Sequence, residues 1–247
     1  MTVDIELTLG EHPSSLVRVR LSKAPHILVA GMTGAGKSVL IHDLICQYIK
    51  GRAPADASMI LIDPKRVEFG AYKGLPHLVL DPVYALRDIE YALGWAVAEM
   101  HSRFTTMERH GWRDVGPSGW PRLLVVIDEL ANLMLSGKKF EKPIIEMASM
   151  GRAAGVHLLL ATQRPDATVI NGLIRANIPT RVALPTITQA DSRIILDQSG
   201  AETISIPERL IRLPGQRELI KARGRYWKSE DIERTLSLWK KTGVWHG

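Results

Sequence analysis

Cysteine is almost absent from this chain, since Cys46 is the only one among 247 residues. No disulfide bond can form within the chain, as is typical of proteins in a reducing compartment. No apolar run approaches the roughly 18 residues of a membrane-spanning helix, and no signal-peptide pattern opens the sequence. The eight histidines show no metal-ligand spacing, so no zinc centre is predicted. These absences together predict a soluble, cytoplasmic protein.

Charge is unevenly distributed along the chain. The formal net charge is +6, and basic and acidic residues balance up to residue 120, so the whole excess lies beyond it. The densest part, residues 209–228, is called the basic stretch below. Its charged residues are Arg209, Arg212, Arg217, Glu218, Lys221, Arg223, Arg225 and Lys228. A basic face indicates a polyanionic partner, but a solvated hairpin with outward basic side chains explains the pattern equally well.

Short apolar runs alternate with helical periods along the chain. We predict buried strands at residues 26–30, 59–62, 123–127, 156–161 and 180–184, between helices at 38–49, 84–108, 140–153 and 188–197. A small hairpin within 3–21 comes first, and a basic hairpin at 209–226 and a helix from Ser229 come last. The pattern is typical of an α/β fold, with a mostly parallel sheet covered by helices on both faces. We expect residues 1–24 to form a lead-in and residues 25–247 one domain.

A glycine-rich loop follows the first buried strand. Ligands of parallel sheets bind where the strands end, and this loop reads G-x-x-x-x-G-K-[ST] between a strand and a helix, the Walker A pattern of a phosphate loop. Lys37 is expected to reach the β- and γ-phosphates of ATP, and Ser38 to bind Mg²⁺. A chance glycine loop is the alternative. The predicted nucleotide-binding residues are Gly31, Met32, Thr33, Gly34, Ala35, Gly36, Lys37, Ser38 and Val39.

Polar residues follow two further buried strands. Asp128 stands at the Walker B position, where a carboxylate binds Mg²⁺ directly or through water. Glu129 beside it suits a general base that polarises water, although an acid in a first helical turn is also favoured by the helix dipole. Gln163 is interpreted as a sensor of the γ-phosphate, with an ordinary loop residue as the alternative. Adjacent Asp and Glu favour an ATPase over a slow nucleotide switch.

Eight segments follow one another in a specific order. Among them are Asp-Pro-Lys at 63–65, Gly-Leu-Pro-His-Leu at 74–78 and Ala-Thr-Gln-Arg-Pro at 161–165. The full set is residues 25–38, 62–65, 74–78, 126–129, 152–157, 161–165, 176–181 and 191–198. Together they resemble the RecA-like motor domain of the FtsK/SpoIIIE DNA translocases, in the HerA–FtsK group of P-loop ATPases. The resemblance covers about residues 20–240.

The resemblance implies a ring, usually a hexamer, that hydrolyses ATP with Mg²⁺ and pumps double-stranded DNA through its pore. It implies that ATP lies between subunits and that an arginine of the neighbour completes the site. Arg152 matches that arginine finger, and Arg181 is a weaker candidate. A guanidinium suits the role because its charge is permanent and its fork matches phosphate oxygens. The alternative for Arg152 is a cation that satisfies a helix C-terminus.

The resemblance also implies contacts with the duplex backbone by Arg164 and Arg193, and by Gln189, where relatives often carry lysine. Such contacts hold phosphates rather than bases, as a motor for any sequence requires. For Arg193, a salt bridge with Asp191 or Asp197 is the alternative. The segments that anchor larger family members and read DNA orientation are missing from the sequence, which predicts either a natural compact motor or a domain excised from a longer protein, with residues 1–24 as a remnant of a further domain. Anchoring or DNA recognition would then come from a partner protein.

Two other functions fit parts of the pattern. The first is an ATPase of a conjugation or secretion system that transfers DNA or protein through a membrane channel. The second is a non-catalytic, ATP-bound adaptor or DNA-binding regulator, against which the intact Lys37, Ser38, Asp128 and Glu129 argue. The basic second half favours nucleic acid as cargo.

Overall fold

The computed structural model describes residues 4–225 and 229–241. The strands are β1 (Glu6–His12), β2 (Ser15–Arg20), β3 (His26–Ala30), β4 (Ala57–Ile62), β5 (Arg122–Ile127), β6 (Val156–Thr162), β7 (Thr180–Ala183), β8 (Glu208–Arg212) and β9 (Ile220–Arg223). The helices are α1 (Lys37–Ile49), α2 (Leu86–His110), α3 (Leu130–Leu135), α4 (Lys138–Ala154), α5 (Gly172–Asn177), α6 (Gln189–Leu196) and α7 (Ser229–Lys241). Nowhere in these two ranges is a helix both long and apolar enough to cross a membrane.

All nine strands join one sheet in the order β2-β1-β9-β8-β7-β3-β6-β5-β4. The five strands from β7 to β4 are parallel, while the flank from β8 to β2 is antiparallel. Every residue of β3 and β6 is buried, as expected for parallel strands covered on both faces. The predicted α/β fold with a mostly parallel sheet is confirmed.

The sheet separates two hydrophobic cores because successive side chains of a strand point to opposite faces. Leu28 of β3 and Leu160 of β6 pack in the core that α2 and α4 cover. Ile27 and Leu159, one residue earlier in each strand, pack in the core that α1 covers. The two cores thus fix the central strands from both faces of the sheet, and the loops at the strand ends are held in place by these rigid strands.

Two short helices, α3 and α5, were not predicted. Each has six residues, which is too short for a helical period to stand out from the sequence. The start of α5 does carry a local signal, because the Asn171 side chain accepts hydrogen bonds from the backbone N–H groups of Leu173 and Ile174. The basic hairpin is present as β8 and β9, although both strands end earlier than predicted.

The N-terminal hairpin belongs to the same sheet as the rest of the chain. Glu11 of β1 pairs with Arg223 of β9, and the side chain of Gln47 on α1 accepts from the backbone N–H of Thr8 at 2.7 Å. Arg209 donates to the backbone oxygen of Leu9 at 2.7 Å. The division of the chain after residue 24 stays a prediction.

Two helical glycines differ in the space around them. A Cβ atom at Gly151 in α4 would lie 2.5 Å from the backbone oxygen of Val156, whereas one at Gly94 in α2 meets nothing within 4 Å. Alanine is favoured over glycine in a helix by about 1 kcal/mol, but the clash at Gly151 forces the backbone apart. We expect Gly94→Ala to raise the free energy of unfolding by about 0.5–1 kcal/mol and Gly151→Ala to lower it by about 1–3 kcal/mol. Urea denaturation of the two variants checks this, and shifts of the same sign would contradict it.

Candidate active site

The phosphate loop lies between β3 and α1, at the edge where the parallel strands end. Gly34 and Gly36 have φ angles of 80° and 92°, a region that glycine adopts without strain. A Cβ atom on either would meet nothing within 4 Å, so the space beside both residues is open to a ligand. Met32 donates its backbone N–H to the backbone oxygen of Pro185 at 2.9 Å, which fixes the loop to the end of β7.

Lys37 and Asp128 form a buried ion pair beneath the loop. The Lys37 ammonium group contacts the Asp128 carboxylate and donates to the Asp128 backbone oxygen at 2.7 Å. Both side chains are almost completely buried. Burial raises the pKa of Asp128, and the ammonium group of Lys37 limits that rise. The pair therefore brings the predicted phosphate-binding and metal-binding groups together.

Ser38 contacts a carboxylate that sequence reasoning did not single out. Its hydroxyl donates to Glu68 Oε1 at 2.6 Å, and His42 Nε2 lies 3.3 Å from Glu68 Oε2. The hydrogen bond from His42 holds the pKa of Glu68 below its usual range, although burial opposes the shift. The Asp63 carboxylate positions Glu68 by accepting its backbone N–H at 2.9 Å. In the sequence, only the Asp-Pro-Lys segment at 63–65 indicates this position, since Glu68 follows it by three residues and bonds to its aspartate.

A Mg²⁺ ion fits the residues at this edge. Hard divalent cations prefer oxygen ligands, and the Ser38 hydroxyl and the Asp128 carboxylate supply them beside the open glycine loop. Ser38 and Asp128 are the residues that would hold the ion, and this assignment stays a prediction.

Glu129 is buried and held by three donors. Thr162 Oγ1 donates to its Oε1 at 2.6 Å, the backbone N–H of Gln163 donates to the same oxygen at 3.1 Å, and Lys65 Nζ lies 2.9 Å from its Oε2. Burial alone would raise the pKa of Glu129, but the hydrogen bonds from Thr162 and Lys65 outweigh burial and lower it. The carboxyl group is therefore an ionised carboxylate, the form that accepts a proton.

Gln163 reaches the phosphate loop. Its side-chain oxygen accepts a hydrogen bond from Thr33 Oγ1 at 2.9 Å, so the end of β6 and the phosphate loop are directly connected. The structure thus brings Gln163, Lys37, Ser38, Asp128 and Glu129 to one edge of the sheet. The interpretation of Gln163 as a sensor of the γ-phosphate stays a prediction.

Arg152 lies on the opposite side of the sheet from the phosphate loop, where the parallel strands begin. It is exposed in the last turn of α4, just before β6 begins, and it donates to the backbone oxygen of Ser22 at 2.8 Å. The structure does not bring it to the phosphate loop of its own chain. Its position in the last turn of α4 fits the alternative of a cation at a helix C-terminus, and the arginine finger stays a prediction. Arg181 is buried instead and contacts Asp197 at 2.8 Å and the Ile195 backbone oxygen at 2.9 Å, which favours a structural role.

The three predicted DNA contacts are exposed. Arg164 lies two residues after the end of β6, while Gln189 and Arg193 lie on α6. The salt bridge considered for Arg193 does not form. Asp191 instead closes a capping box with Thr188 at the start of α6, and the Asp197 carboxylate contacts three other guanidinium groups, those of Arg175, Arg181 and Arg212.

Part of the basic stretch is engaged within the sheet. Arg209 is buried against Leu9, and burial lowers its pKa to about 10. Lys221 pairs with Glu208 of the adjacent strand at 2.8 Å. Lys228 lies outside the described residues. Arg212 also donates to the Leu196 backbone oxygen at 2.8 Å, and Arg225 lies 3.5 Å from Glu11, so these contacts support a structural role for four members of the stretch.

Comparison with known families and proteins matches these features. The model of the FtsK/SpoIIIE family matches residues 6–120 and 118–167. A protein of Vibrio vulnificus strain CMCP6 named DNA translocase FtsK is 39% identical over 258 residues, which cover 90% of this chain and 26% of that protein. The protein of the same name from Pseudomonas syringae pv. syringae strain B728a is also 39% identical, over 90% of this chain and 32% of that protein. The chain thus spans about a quarter to a third of the length of these curated relatives.

Solved structures share the fold. The structure of the pCW3 conjugation coupling protein TcpA, a monomer form with ATPγS, has a TM-score of 0.85 at 26% identity and covers 96% of this chain and 71% of that one. The cytoplasmic domain of the Thermomonospora curvata type VII secretion ATPase EccC has a TM-score of 0.82 at 21% identity, over 99% of this chain and 31% of that one. The latter likeness concerns the fold alone.

Proposed function

Because this chain belongs to the FtsK/SpoIIIE family, we propose that it is an ATP-driven DNA translocase motor. It hydrolyses ATP at the subunit interfaces of a hexameric ring and pumps double-stranded DNA through the pore, in the cytoplasm. The observation that carries the proposal is the cluster at one sheet edge, where Lys37, Asp128 and Glu129 lie beside an open glycine loop. The sequence identity of 39% between this chain and proteins named DNA translocase FtsK supports DNA as the cargo of the motor.

Each side chain of the cluster has a distinct role in this proposal. Glu129 orients the attacking water and accepts its proton, because it is ionised and held in place. Lys37 stabilises the negative charge that develops on the phosphates. Gln163 senses the γ-phosphate through its contact with the phosphate loop. Mg²⁺, held by Ser38 and Asp128, would neutralise phosphate charge when bound.

A ring accounts for the two separate edges of the sheet. In this proposal, ATP binds where the parallel strands end and a cation of the neighbouring subunit completes the site. Arg152 is exposed at the other end of the strands, where they begin. A head-to-tail arrangement of subunits places one edge against the other and closes into a ring if the rotation allows. Anchoring of the ring, or recognition of particular DNA sites, is assigned to a partner protein.

The function is tested by ATP turnover with and without duplex DNA. We expect DNA to stimulate turnover, and DNA binding to weaken steeply with added salt because phosphate contacts release counterions. The double variant Arg164→Ala/Arg193→Ala should reduce the slope of log affinity against log salt by about 2. The control Arg87→Ala/Arg109→Ala removes the same charge from the exposed surface of α2 and should leave the slope unchanged. Equal turnover with and without DNA would contradict the proposal.

The trans role of Arg152 predicts complementation between two inactive variants. Arg152→Ala should bind ATP but lose about 10³-fold in turnover, and Lys37→Ala should not turn ATP over. In a mixed ring, a Lys37→Ala subunit still offers its Arg152 to a neighbour whose own phosphate loop is intact. Mixing should therefore restore part of the activity, measured as phosphate release. Absence of recovery, with mixed rings shown to form, would remove Arg152 from this role.

A second candidate function has its own support. TcpA, which shares this fold at 26% identity, is named as a conjugation coupling protein, so transfer of DNA through a membrane channel is the alternative cargo route. Turnover that responds to a partner membrane protein and to DNA only in its presence would favour this alternative.

A further inference from the structure

Thr162 is a buried residue at which two hydrogen-bonded paths meet. Its hydroxyl donates to Glu129 Oε1 at 2.6 Å and accepts the backbone N–H of Arg164 at 3.0 Å. The Arg164 backbone oxygen lies 3.3 Å from the same hydroxyl. A hydroxyl has one proton to donate, so Glu129 and the Arg164 carbonyl compete for it. The position of the Arg164 backbone therefore affects one of the three contacts that hold Glu129.

The residue next to Thr162 makes a parallel connection. The Gln163 backbone N–H also donates to Glu129, and the Gln163 side chain accepts from Thr33 of the phosphate loop. Three consecutive residues thus connect the site: Thr162 and Gln163 contact Glu129, Gln163 also contacts the phosphate loop, and Arg164 is exposed. Pro165 restricts Arg164 to extended conformations, and the Arg164 backbone oxygen also accepts the backbone N–H of Asp166 at 2.9 Å. A displacement of Arg164 would therefore move both its N–H group and its carbonyl group relative to Thr162.

We propose that Thr162 is a positioning residue that couples the contact of Arg164 with DNA to the orientation of Glu129. The inference deepens the proposed function and depends on it. When a phosphate of the duplex fixes Arg164, the Arg164 N–H holds the Thr162 hydroxyl, and the hydroxyl keeps donating its hydrogen bond to Glu129. Without DNA, Arg164 is held less firmly and its carbonyl competes for the proton. Stimulation by DNA then acts through a better-oriented base.

The test compares two substitutions of Thr162 by the ratio of turnover with DNA to turnover without it. Thr162→Val keeps the shape of the side chain but lacks the hydroxyl, and Thr162→Ser keeps the hydroxyl. We expect Thr162→Val to lose about tenfold in DNA-stimulated kcat, with less effect on basal turnover and an unchanged KM for ATP. Thr162→Ser should retain the stimulation. Fluorescence anisotropy should show the same affinity for DNA in both variants.

Thr180 provides a matched control. It is equally buried at the start of β7, which is separated from β6 by β3 in the sheet, and its hydroxyl has no hydrogen-bond partner within the described ranges. Thr180→Val should therefore leave the stimulation ratio unchanged. If Thr162→Val does not fold, Pro165→Ala carries the test, because it loosens Arg164 and should reduce stimulation while both hydrogen-bonding groups remain.

The outcomes separate the two proposals. A wild-type chain that binds DNA but is not stimulated by it would overturn the proposed function. A stimulated wild type with equal stimulation in Thr162→Val, or in Pro165→Ala where that variant carries the test, would overturn only the coupling role. Equal losses of basal and stimulated turnover in Thr162→Val would also overturn it, since they would show that Thr162 merely supports the fold.

Discussion

Replacing Lys37 by alanine is expected to abolish ATP turnover, with a loss of at least about 10²-fold. The ammonium group is the buried cation beneath the phosphate loop, and within this site it is the one that contacts Asp128. Its removal takes away charge stabilisation of the phosphates and leaves the Asp128 carboxylate buried without its partner. The free energy of unfolding should therefore fall by about 3–5 kcal/mol. Phosphate release and urea denaturation measure the two effects.

A double variant separates these two effects of Lys37. Lys37→Ala/Asp128→Asn removes the uncompensated negative charge, so it should recover much of the lost stability. Turnover should stay abolished, because neither the phosphate cation nor the metal-binding carboxylate is present. Recovery of turnover in the double variant would show that Lys37 is needed only to neutralise the charge of Asp128, and that neither group takes part in hydrolysis.

Glu129→Gln should bind ATP yet lose about 10²–10⁴-fold in hydrolysis, the contribution typical of a general base. Glutamine has nearly the same shape, and its side-chain oxygen can still accept from Thr162 and the Gln163 backbone. Lys65 loses its partner, but its side chain is 39% exposed and can turn to water at little cost. Binding of a fluorescent ATP analogue and single-turnover hydrolysis check both halves of this prediction.

Lys65→Met is the matched control for that experiment. It removes the same ion pair but leaves the Glu129 carboxylate in place with its other two donors. Turnover should fall far less than in Glu129→Gln. A similar loss in both variants would mean that the ion pair, rather than the proton-accepting group, is what hydrolysis needs.

The fold could be predicted from the sequence where apolar runs and glycine loops are long enough to be specific. The parallel strands, the phosphate loop after β3 and the polar strand ends at Asp128 and Gln163 are of this kind. Their convergence follows from one rule, since parallel strands end at the same edge of the sheet. The roles of these residues stay predictions.

The contacts of Glu68 and Thr162 could not be predicted, because they depend on side chains brought together from distant parts of the chain. Ser38 and Glu68 are 30 positions apart, and Glu129 and Thr162 are 33 apart. Spacing along a chain carries no signal at such separations unless the register of the sheet is known. Apolar runs indicate where the strands lie, but the register of the sheet decides which polar side chains come into contact.

Strand β6 joins the two ends of the sheet in a single stiff element. Arg152 stands just before it and Gln163 just after it, and its seven buried residues span about 23 Å. In the proposed ring, Arg152 at one end of β6 would therefore lie at the ATP site of a neighbouring subunit, and Gln163 at the other end would lie at the ATP site of its own subunit. Because β6 is paired on both sides and buried on both faces, a movement at one of these ATP sites would reach the other through a movement of the whole sheet.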